Sequence, residues 1–192
     1  MKKQLVGLLS FLLMCHGVMA APDTYQIDNK HSFVNFTIRH VVAKTAGSFT
    51  DVTGVIKIDK DHLEKSSVEA KIAVASVNTG LAKRDEHIQK SEYLDAVNFG
   101  EITFISKSIK ATSATEGLMT GDFTLHGVTK SITMPFKVLG FGADPWGAQR
   151  AGFEAATIIK ASDYGFGWMK ESNAPIGDDI EVTLFIEAIK AK

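Results

Sequence analysis

The residues best suited to chemistry lie in a polar stretch near the middle of the chain. Arg84, Asp85 and His87 fall within one turn of a short predicted helix, because apolar residues recur at helical spacing between positions 81 and 94. An arginine at a helix start can hold an anion or a carbonyl oxygen with two donors. The alternative is a solvated helix face whose charges pair with neighbouring loops, since most surface ion pairs contribute little.

The other polar residues do not form a reactive set. Neither a zinc-type H-E-x-x-H nor a serine G-x-S-x-G pattern occurs. On a helix, adjacent side chains such as Glu86 and His87 point about 100° apart and do not readily share a metal. Metal-ligand spacing is also missing among the histidines beyond residue 20, which are His31, His40, His62, His87 and His126. The sequence therefore predicts no enzyme activity, no metal and no cofactor.

The first 20 residues have the pattern of a secretory signal peptide. Lys2-Lys3 gives a positive start, an apolar run extends over residues 5–14, and Val18-Met19-Ala20 offers a small-residue cleavage site. We expect cleavage after Ala20, with Ala21 as the second choice. The apolar run is shorter than the roughly 20 residues that a spanning helix needs. The prediction is a signal peptide at 1–20 and a single domain at 21–192.

Cysteine and charge narrow the function classes further. Cys15 is the single cysteine of the chain and lies inside the predicted signal peptide, so the mature domain has no disulfide and no thiol nucleophile. Met14 does not suit a lipoprotein signal, and no covalent lipid is expected at Cys15. The predicted mature domain has slightly more acidic than basic residues. This composition gives no support to nucleic-acid binding.

Most of the chain beyond residue 24 is predicted to form β-strands, because apolar and polar residues alternate. Val34, Phe36 and Ile38 share one face of an early strand, and residues 67–77 repeat this pattern. His126-Gly127-Val128-Thr129 predicts a tight hairpin turn, because Gly127 can take a positive φ, and Pro135 predicts a bulge or an unpaired amide position. About eight strands with short connections indicate an antiparallel sandwich or barrel.

An eight-stranded barrel either fills its interior with side chains or holds one small ligand. Small residues at predicted inward positions favour a cavity, and these are Gly54, Ala70, Ser76 and Gly152. The predicted lining residues lie on the apolar faces of their strands and are Phe36, Ile72, Phe104, Phe136 and Leu184.

Residues 163–169 combine glycines with large aromatic side chains. Tyr164, Phe166 and Trp168 are separated there by single glycines. Such a stretch suits a lid over an apolar opening. A loop packed against the side of the barrel is the alternative.

Several spaced motifs follow one another in a fixed order along the chain. They are Tyr25-x-Ile27-Asp28-x-x-His31-Ser32-x-Val34-x-Phe36-x-Ile38-x-His40, then Ser76-Val77-Asn78-Thr79-Gly80 with Arg84-Asp85-x-His87-Ile88, and then Gly127-Val128-Thr129-Lys130. Pro145-Trp146-Gly147 with Arg150-Ala151-Gly152-Phe153 follows them. As a set, these motifs resemble the YceI-like polyisoprenoid-binding family and its periplasmic branch, from Tyr25 to the end of the chain.

The resemblance implies an all-β fold, a lipocalin-like antiparallel eight-stranded barrel with a short helical insert around residues 81–96. It also implies an apolar interior that takes up a long isoprenoid chain, a periplasmic location and no catalytic activity. The protein would then act as a carrier or a store. The alternative is a structural or interaction module whose barrel is filled with side chains. The stretch after Asp163 matches no family motif.

The expected partner is a long-chain isoprenoid, either a quinone or a polyprenyl phosphate, or a related amphiphilic lipid. Transient membrane contact and a homodimer are compatible with this expectation. A membrane already shields the lipid tail from water, so the head group must decide which lipid is taken. Asp85 would repel a phosphate, and this ranks a neutral quinone slightly above a pyrophosphate.

Overall fold

The structure is a computed structural model that describes residues 21–170 and 175–192. The predicted signal peptide, its cleavage site and Cys15 lie outside the described residues. Within the described ranges, no helix is long and apolar enough to cross a membrane.

The described residues form one antiparallel sheet of eleven strand segments. In chain order these are β1 (Asp23–Ile27), β2 (Phe33–His40), β3 (Ala43–Phe49), β4 (Val52–Ile58), β5 (Ser67–Ala73), β6 (Val77–Asn78), β7 (Glu101–Ala111), β8 (Glu116–Leu125), β9 (Val128–Ala143), β10 (Gln149–Lys160) and β11 (Ile176–Lys190).

These segments make an eight-stranded barrel, because three of its strands are each interrupted once. The first barrel strand consists of β1 and β2, the second of β3 and β4, and the third of β5 and β6. Each barrel strand then pairs with the next one along the chain. The last strand returns to the first, with Tyr25 opposite Lys190 and Val34 opposite Leu184. The predicted eight-stranded antiparallel barrel is confirmed, and the sandwich alternative is wrong.

The barrel has two ends that differ in how they are covered. The insert end carries the turn at 41–42, the insert at 79–100, the turn at 126–127 and the segment that begins at 161. The terminal end carries residues 21–22 and 191–192 and the connections at 59–66, 112–115 and 144–148. We use these two names below.

The predicted helical insert is present but its helix is short. Helix α1 spans Ala82–Ile88, and the rest of the predicted 81–96 range consists of turns. The chain bends back on α1 because the N–H groups of Leu94 and Ala96 donate to the carbonyl oxygens of Ile88 and Gln89. The insert therefore consists of about two helical turns followed by a compact loop.

The local turn predictions have mixed outcomes. The predicted hairpin turn is present between β8 and β9 but is shorter than expected, because Val128 and Thr129 already pair with β8. Only His126 and Gly127 form the turn, with positive φ angles of 51° and 73°. Val74 is not on a strand as expected, because β5 ends at Ala73 and residues 74–76 form a 3-10 turn. Pro135 pairs with Leu118, but the ladder between β9 and β10 begins only at Phe136. This agrees with a residue that has no N–H to donate.

Candidate functional site

The interior of the barrel is hollow. A cavity of about 290 Å³ runs between the strands, at the lower end of the roughly 300–1,000 Å³ typical of ligand pockets. Its walls come from inward-facing positions, such as Ala155, Thr157 and Ile159 of β10. Glu154 is the one charged residue along this wall among the described residues, and no lysine, arginine or histidine lines it. An elongated, almost purely apolar ligand fits this interior.

Each of the five residues that the sequence predicts to face inward lines this cavity: Phe36, Ile72, Phe104, Phe136 and Leu184. They come from β2, β5, β7, β9 and β11, and so from all sides of the barrel. The alternation of apolar side chains along each strand is the signal that identifies them.

Phenylalanine rings of the cavity wall lie against glycines of the neighbouring strand. A Cβ at Gly117 would stand 2.8 Å from the Phe136 ring, and one at Gly121 would overlap the Phe104 ring. Gly47 has the same relation to Phe36. Because the rings occupy the space that a side chain would fill on the wall, they do not extend across the interior.

The small residues that were expected to create the cavity have other roles. Ala70 lines the cavity, but Gly54, Ser76 and Gly152 do not. Gly54 is where β4 approaches the backbone of β5 too closely for a side chain. Ser76 Oγ donates to the carbonyl oxygen of Ala73 and accepts from the N–H of Asp51, and so closes a turn. For Ser76 and Gly152 the sequence prediction is wrong, whereas Gly54 alternates with Val52, Ile56 and Ile58, which line the cavity.

The terminal end of the barrel is closed by packed side chains. Tyr25, Leu63, Val138, Ala151 and Ala188 form one buried cluster there, and none of them lines the cavity. Leu63 lies on a 3-10 turn between β4 and β5 and is buried. This cluster packs across the terminal end of the barrel.

A row of aromatic rings covers the insert end. Phe166 stacks on Trp168 with ring centroids 4.4 Å apart, and Trp168 contacts Tyr93 of the insert at 5.7 Å. On its other side, Phe166 stacks on His126 at 4.8 Å. Phe166, Trp168 and Tyr93 line the cavity. The row joins the segment after β10 to the insert across the end of the barrel.

The three predicted lid residues are thus not equivalent. Phe166 and Trp168 lie over the cavity, whereas Tyr164 is fully buried and contacts Phe123 edge-on at 5.5 Å. Burial raises the pKa of Tyr164, and the nearby Asp163 acts in the same direction. Tyr164 anchors the segment, and the other two rings form the cover.

The predicted polar cluster sits beside this cover. Arg84 donates from Nε to the Thr79 hydroxyl oxygen at 2.7 Å and from Nη2 to the Thr79 carbonyl at 2.6 Å. Asp85 accepts from the N–H of Thr79 at 2.8 Å. His87 Nε2 lies 3.2 Å from the Tyr93 hydroxyl. The cluster does not line the cavity and reaches it only through Tyr93, and its head-group role stays a prediction.

Two buried polar atoms of the aromatic row have no hydrogen-bond partner among the described residues. They are Nε1 of Trp168 and Nε2 of His126. His126 uses its other nitrogen, Nδ1, to contact the carbonyl oxygen of Tyr164 at 3.2 Å. An indole N–H is a donor only, so Trp168 lacks an acceptor. No sequence pattern indicates this, because a missing hydrogen-bond partner is a three-dimensional property.

A second polar cluster, which sequence reasoning missed, lies where β1 gives way to β2. Arg150 Nη1 donates to Asp28 Oδ2 at 2.7 Å and also to Glu187, while its Nε donates to Asp144 at 2.8 Å. His31 Nδ1 lies 2.7 Å from Asp28. Oxygen and nitrogen atoms of Asp28, His31 and Glu187 lie within 4.8 Å of one another. Because the guanidinium bonds to both carboxylates, this cluster links the parts of the barrel that carry Asp28, Arg150 and Glu187.

The electrostatics of this cluster follow from its contacts. Partial burial alone would raise the pKa of Asp28, but hydrogen bonds from His31 and Arg150 outweigh it and lower the pKa to about 2. The hydrogen bond from Arg150 lowers the pKa of Asp144, against a smaller opposing effect of burial. In turn, hydrogen bonds to Asp28, Asp144 and Glu187 raise the pKa of Arg150. Asp28, Asp144 and Arg150 are therefore charged at neutral pH.

Fold and cavity together define a hollow antiparallel β-barrel built around an apolar ligand site. The YceI-like domain matches residues 25–188. Over 195 residues the chain is 36% identical to Protein YceI of Escherichia coli O157:H7, with 100% of each chain covered. The chain belongs to the YceI-like domain family.

Two solved structures have the same fold. BcnA of Burkholderia cenocepacia superposes with a TM-score of 0.76 at 23% identity, covering 84% of this chain and 99% of BcnA. A polyisoprenoid binding domain from Saccharophagus degradans, implicated in plant cell wall breakdown, gives a TM-score of 0.65 at 17% identity. It covers 87% of this chain and 98% of its own. At these identities the likeness concerns the fold alone.

Proposed function

We propose that this protein binds a long-chain isoprenoid lipid in its barrel and carries or stores it in the periplasm. The observation that carries this proposal is the apolar cavity, which is continuous along the barrel and closed at the terminal end. The polyisoprenoid binding of the Saccharophagus degradans domain supports the ligand class through the shared fold. A side-chain-filled interaction module does not agree with a hollow interior, and a homodimer stays an expectation.

The physical basis is an exchange between two apolar environments. Each buried CH₂ group is worth about 0.8 kcal/mol when it leaves water, so a long tail is held tightly by any apolar surrounding. A bilayer provides such a surrounding before the protein does. Transfer of the tail from bilayer to barrel is therefore near neutral, and contacts with the head group select the lipid.

We place the head group at the insert end. There Trp168 and Tyr93 line the cavity, and His87 contacts Tyr93 from α1, the helix that also carries Arg84 and Asp85. No cation lines the cavity among the described residues, and an unpaired buried phosphate is costly. A neutral head group with hydrogen-bond acceptors, such as a quinone, suits this lining better than a pyrophosphate does.

Lipid extraction followed by mass spectrometry of natively purified protein tests the proposal. We expect about one isoprenoid lipid per barrel, and a lipid-free protein would contradict it. Ile72→Asp places an unpaired charge in the cavity wall, which costs several kcal/mol, and should abolish lipid binding or folding. The matched control is Lys71→Asp on the exposed face of the same strand, which should keep its lipid.

Export is tested separately with the full-length chain. We expect a periplasmic fraction whose intact mass begins at Ala21 and carries no acyl chain. A mass that retains Cys15 with acyl groups would contradict the predicted signal peptide. A cytoplasmic fraction of full-length mass would contradict the proposed location and leave the lipid proposal to the extraction experiment.

A further inference from the structure

The turn between β2 and β3 has an unusual sequence for its geometry. It is a two-residue turn, Val41-Val42, between the paired residues His40 and Ala43. Val41 has a φ angle of +53°. Hairpin turns place glycine, asparagine or aspartate at positive φ, and a β-branched residue there is an outlier. The hairpin at His126-Gly127 of the same barrel follows the usual preference for its second position.

Two backbone contacts hold this strained turn in place. The N–H of Val41 donates to the carbonyl oxygen of Pro175 at 2.6 Å, and the carbonyl oxygen of Val41 accepts from Arg39 Nη1 at 2.9 Å. The turn is thus fixed from both sides. Strain of this kind persists only where the surrounding structure imposes it, and it collects at functional sites.

The side chains of the turn add a second unfavourable feature. Val42 is 96% exposed and Val41 is 53% exposed, so two apolar side chains stand in solvent at the tip. Folding stability explains neither the strain nor the exposure. Contact of Val41 and Val42 with an apolar surface outside the protein would account for both.

The tip lies at the insert end of the barrel, next to the aromatic cover of the cavity. Ile38 and Ile176 line the cavity, and Ile176 pairs with His40 immediately below the turn. Val97 of the insert is 94% exposed at the same end, where its neighbour Phe99 packs on His126. Residues 39–45 contain Arg39 and Lys44 and no acidic residue. Lys44 pairs with Glu181 at 2.6 Å, and Arg39 next to the tip carries the positive charge that suits the phosphates of lipid head groups.

We propose that the Val41-Val42 tip docks the insert end on a lipid bilayer during lipid uptake. The two valines enter the boundary between head groups and acyl chains, and this brings the cavity to the surface from which the lipid leaves. The inference rests on the proposed function for its cargo. The docking itself involves only the tip and a bilayer.

The test replaces the tip without disturbing the cavity. In V41G/V42S, glycine occupies the positive φ and serine removes the exposed apolar group, so the Tm of the lipid-free protein should stay the same or rise. The rate of ubiquinone uptake from phosphatidylethanolamine–phosphatidylglycerol vesicles should fall roughly tenfold, because valine burial in the bilayer is lost. Loading from detergent micelles should remain as in the unsubstituted protein. V42S alone serves if the double variant does not fold.

The matched control is Trp146→Ser at the terminal end. Trp146 is 86% exposed, and tryptophan inserts into membrane interfaces more readily than valine does. Its removal should leave the uptake rate unchanged. If Trp146→Ser slows uptake and V41G/V42S does not, the protein docks through its terminal end, which contradicts the proposal. Equal rates for all three proteins would overturn the proposal as well.

Vesicle co-sedimentation of the lipid-free protein separates this inference from the proposed function. A protein that takes up ubiquinone from neither vesicles nor micelles would contradict the proposed cargo. Co-sedimentation that V41G/V42S abolishes would still support docking in that case. If the unsubstituted protein does not co-sediment and its uptake does not depend on the tip, docking is excluded.

Discussion

At the residue scale, the indole N–H of Trp168 is expected to lower the stability of the lipid-free protein and to favour ligand binding. A buried donor without an acceptor costs about 1–3 kcal/mol, and the described part of the chain supplies none for Trp168 Nε1. The ring itself is well placed, since it stacks on Phe166 and lines the cavity. A ligand carbonyl in the cavity would provide the acceptor that the described residues do not supply.

Trp168→Phe should therefore separate these two effects. The ring contact with Phe166 persists, while the unpaired donor disappears, so lipid-free stability should stay equal or rise by about 1 kcal/mol. Quinone retained per barrel after native purification should decrease. Urea unfolding of the lipid-free protein and mass spectrometry of the bound lipid provide the two readouts. A clear loss of lipid-free stability with full lipid retention would show that the donor has no ligand role.

Arg84 shows how a chemically suited residue can be committed to structure. Its two hydrogen bonds to Thr79 hold the start of α1, and Asp85 bonds to the same residue. Arg84→Ala should lower stability by about 1–2 kcal/mol, since these bonds are partly buried. Lys83→Ala, next to it and exposed, is the control. Unchanged lipid identity would assign Arg84 to the fold, and a changed lipid at unchanged stability would assign it to the head group.

At the element scale, the width of the cavity depends on pairs of glycine and phenylalanine across neighbouring strands. Gly47 of β3 stands opposite Phe36 of β2, and an added Cβ would overlap the Phe36 ring. Gly47→Ala should push this ring into the cavity, lower stability by about 1–3 kcal/mol and reduce bound lipid. Urea unfolding and lipid extraction measure both effects.

A second-site change and a neutral site test this explanation. Gly47→Ala combined with Phe36→Leu should recover part of the loss, because the smaller side chain makes room for the methyl group. Gly142→Ala in β9 meets no atom within 4 Å and should have little effect. If the Phe36→Leu change gives no recovery, the ring is not the source of the strain.

The elements also show how far the sequence could be interpreted. Period-two alternation identifies the inward faces, so Ile72 and Leu184 were placed on the cavity wall. The alternation does not show where a strand stops, and so Val74 was assigned to β5 although it lies in a 3-10 turn. The alternation predicts that Gly54 leaves space in the interior. In the structure the backbone of β5 lies where its side chain would be, and no sequence pattern shows this contact.

Long-range polar contacts could not be predicted for a related reason. Asp28 and Arg150 lie 122 residues apart, and no local pattern links them. The same applies to Trp168. Its expected contact with a ligand depends on the absence of a hydrogen-bond acceptor for Nε1 among the described residues, and no local pattern shows this. By contrast, Arg84 and Asp85 attracted attention through local spacing, and their contacts with Thr79 are also local.

At the scale of the whole molecule, closure of the barrel depends on the interruption between β1 and β2. The N–H of Asp28 and the hydroxyl of Ser32 both donate to the carbonyl oxygen of Glu187 on β11, at 2.8 and 3.1 Å. Arg150 then joins Asp28 to Glu187 through its guanidinium. The first and the last barrel strands are thus linked by charge where their regular pairing is interrupted.

This link makes the stability of the barrel depend on pH. The side chain of Asp28 is 11% exposed, and its pKa in the folded protein is about 2, below the ordinary value of 3.8. The folded state therefore binds this proton less readily than the unfolded state does. The stabilisation from ionised Asp28 is fully present above pH 3.8 and is lost as the pH falls towards 2.

Asp28→Asn should remove the part of the pH dependence that comes from Asp28. The amide keeps the shape of the carboxylate but not its charge, so the link to Arg150 weakens and stability at neutral pH should fall by about 2–3 kcal/mol. Between pH 4 and 2 the variant should lose less stability than the unsubstituted protein does. Asparagine has no carboxylate that becomes protonated in this range. Urea unfolding at a series of pH values measures both quantities. Asp51→Asn, at an exposed position, should keep the full pH dependence. If Asp28→Asn unfolds with the same dependence on pH as the unsubstituted protein, the acid sensitivity arises elsewhere and Asp28 does not close the barrel.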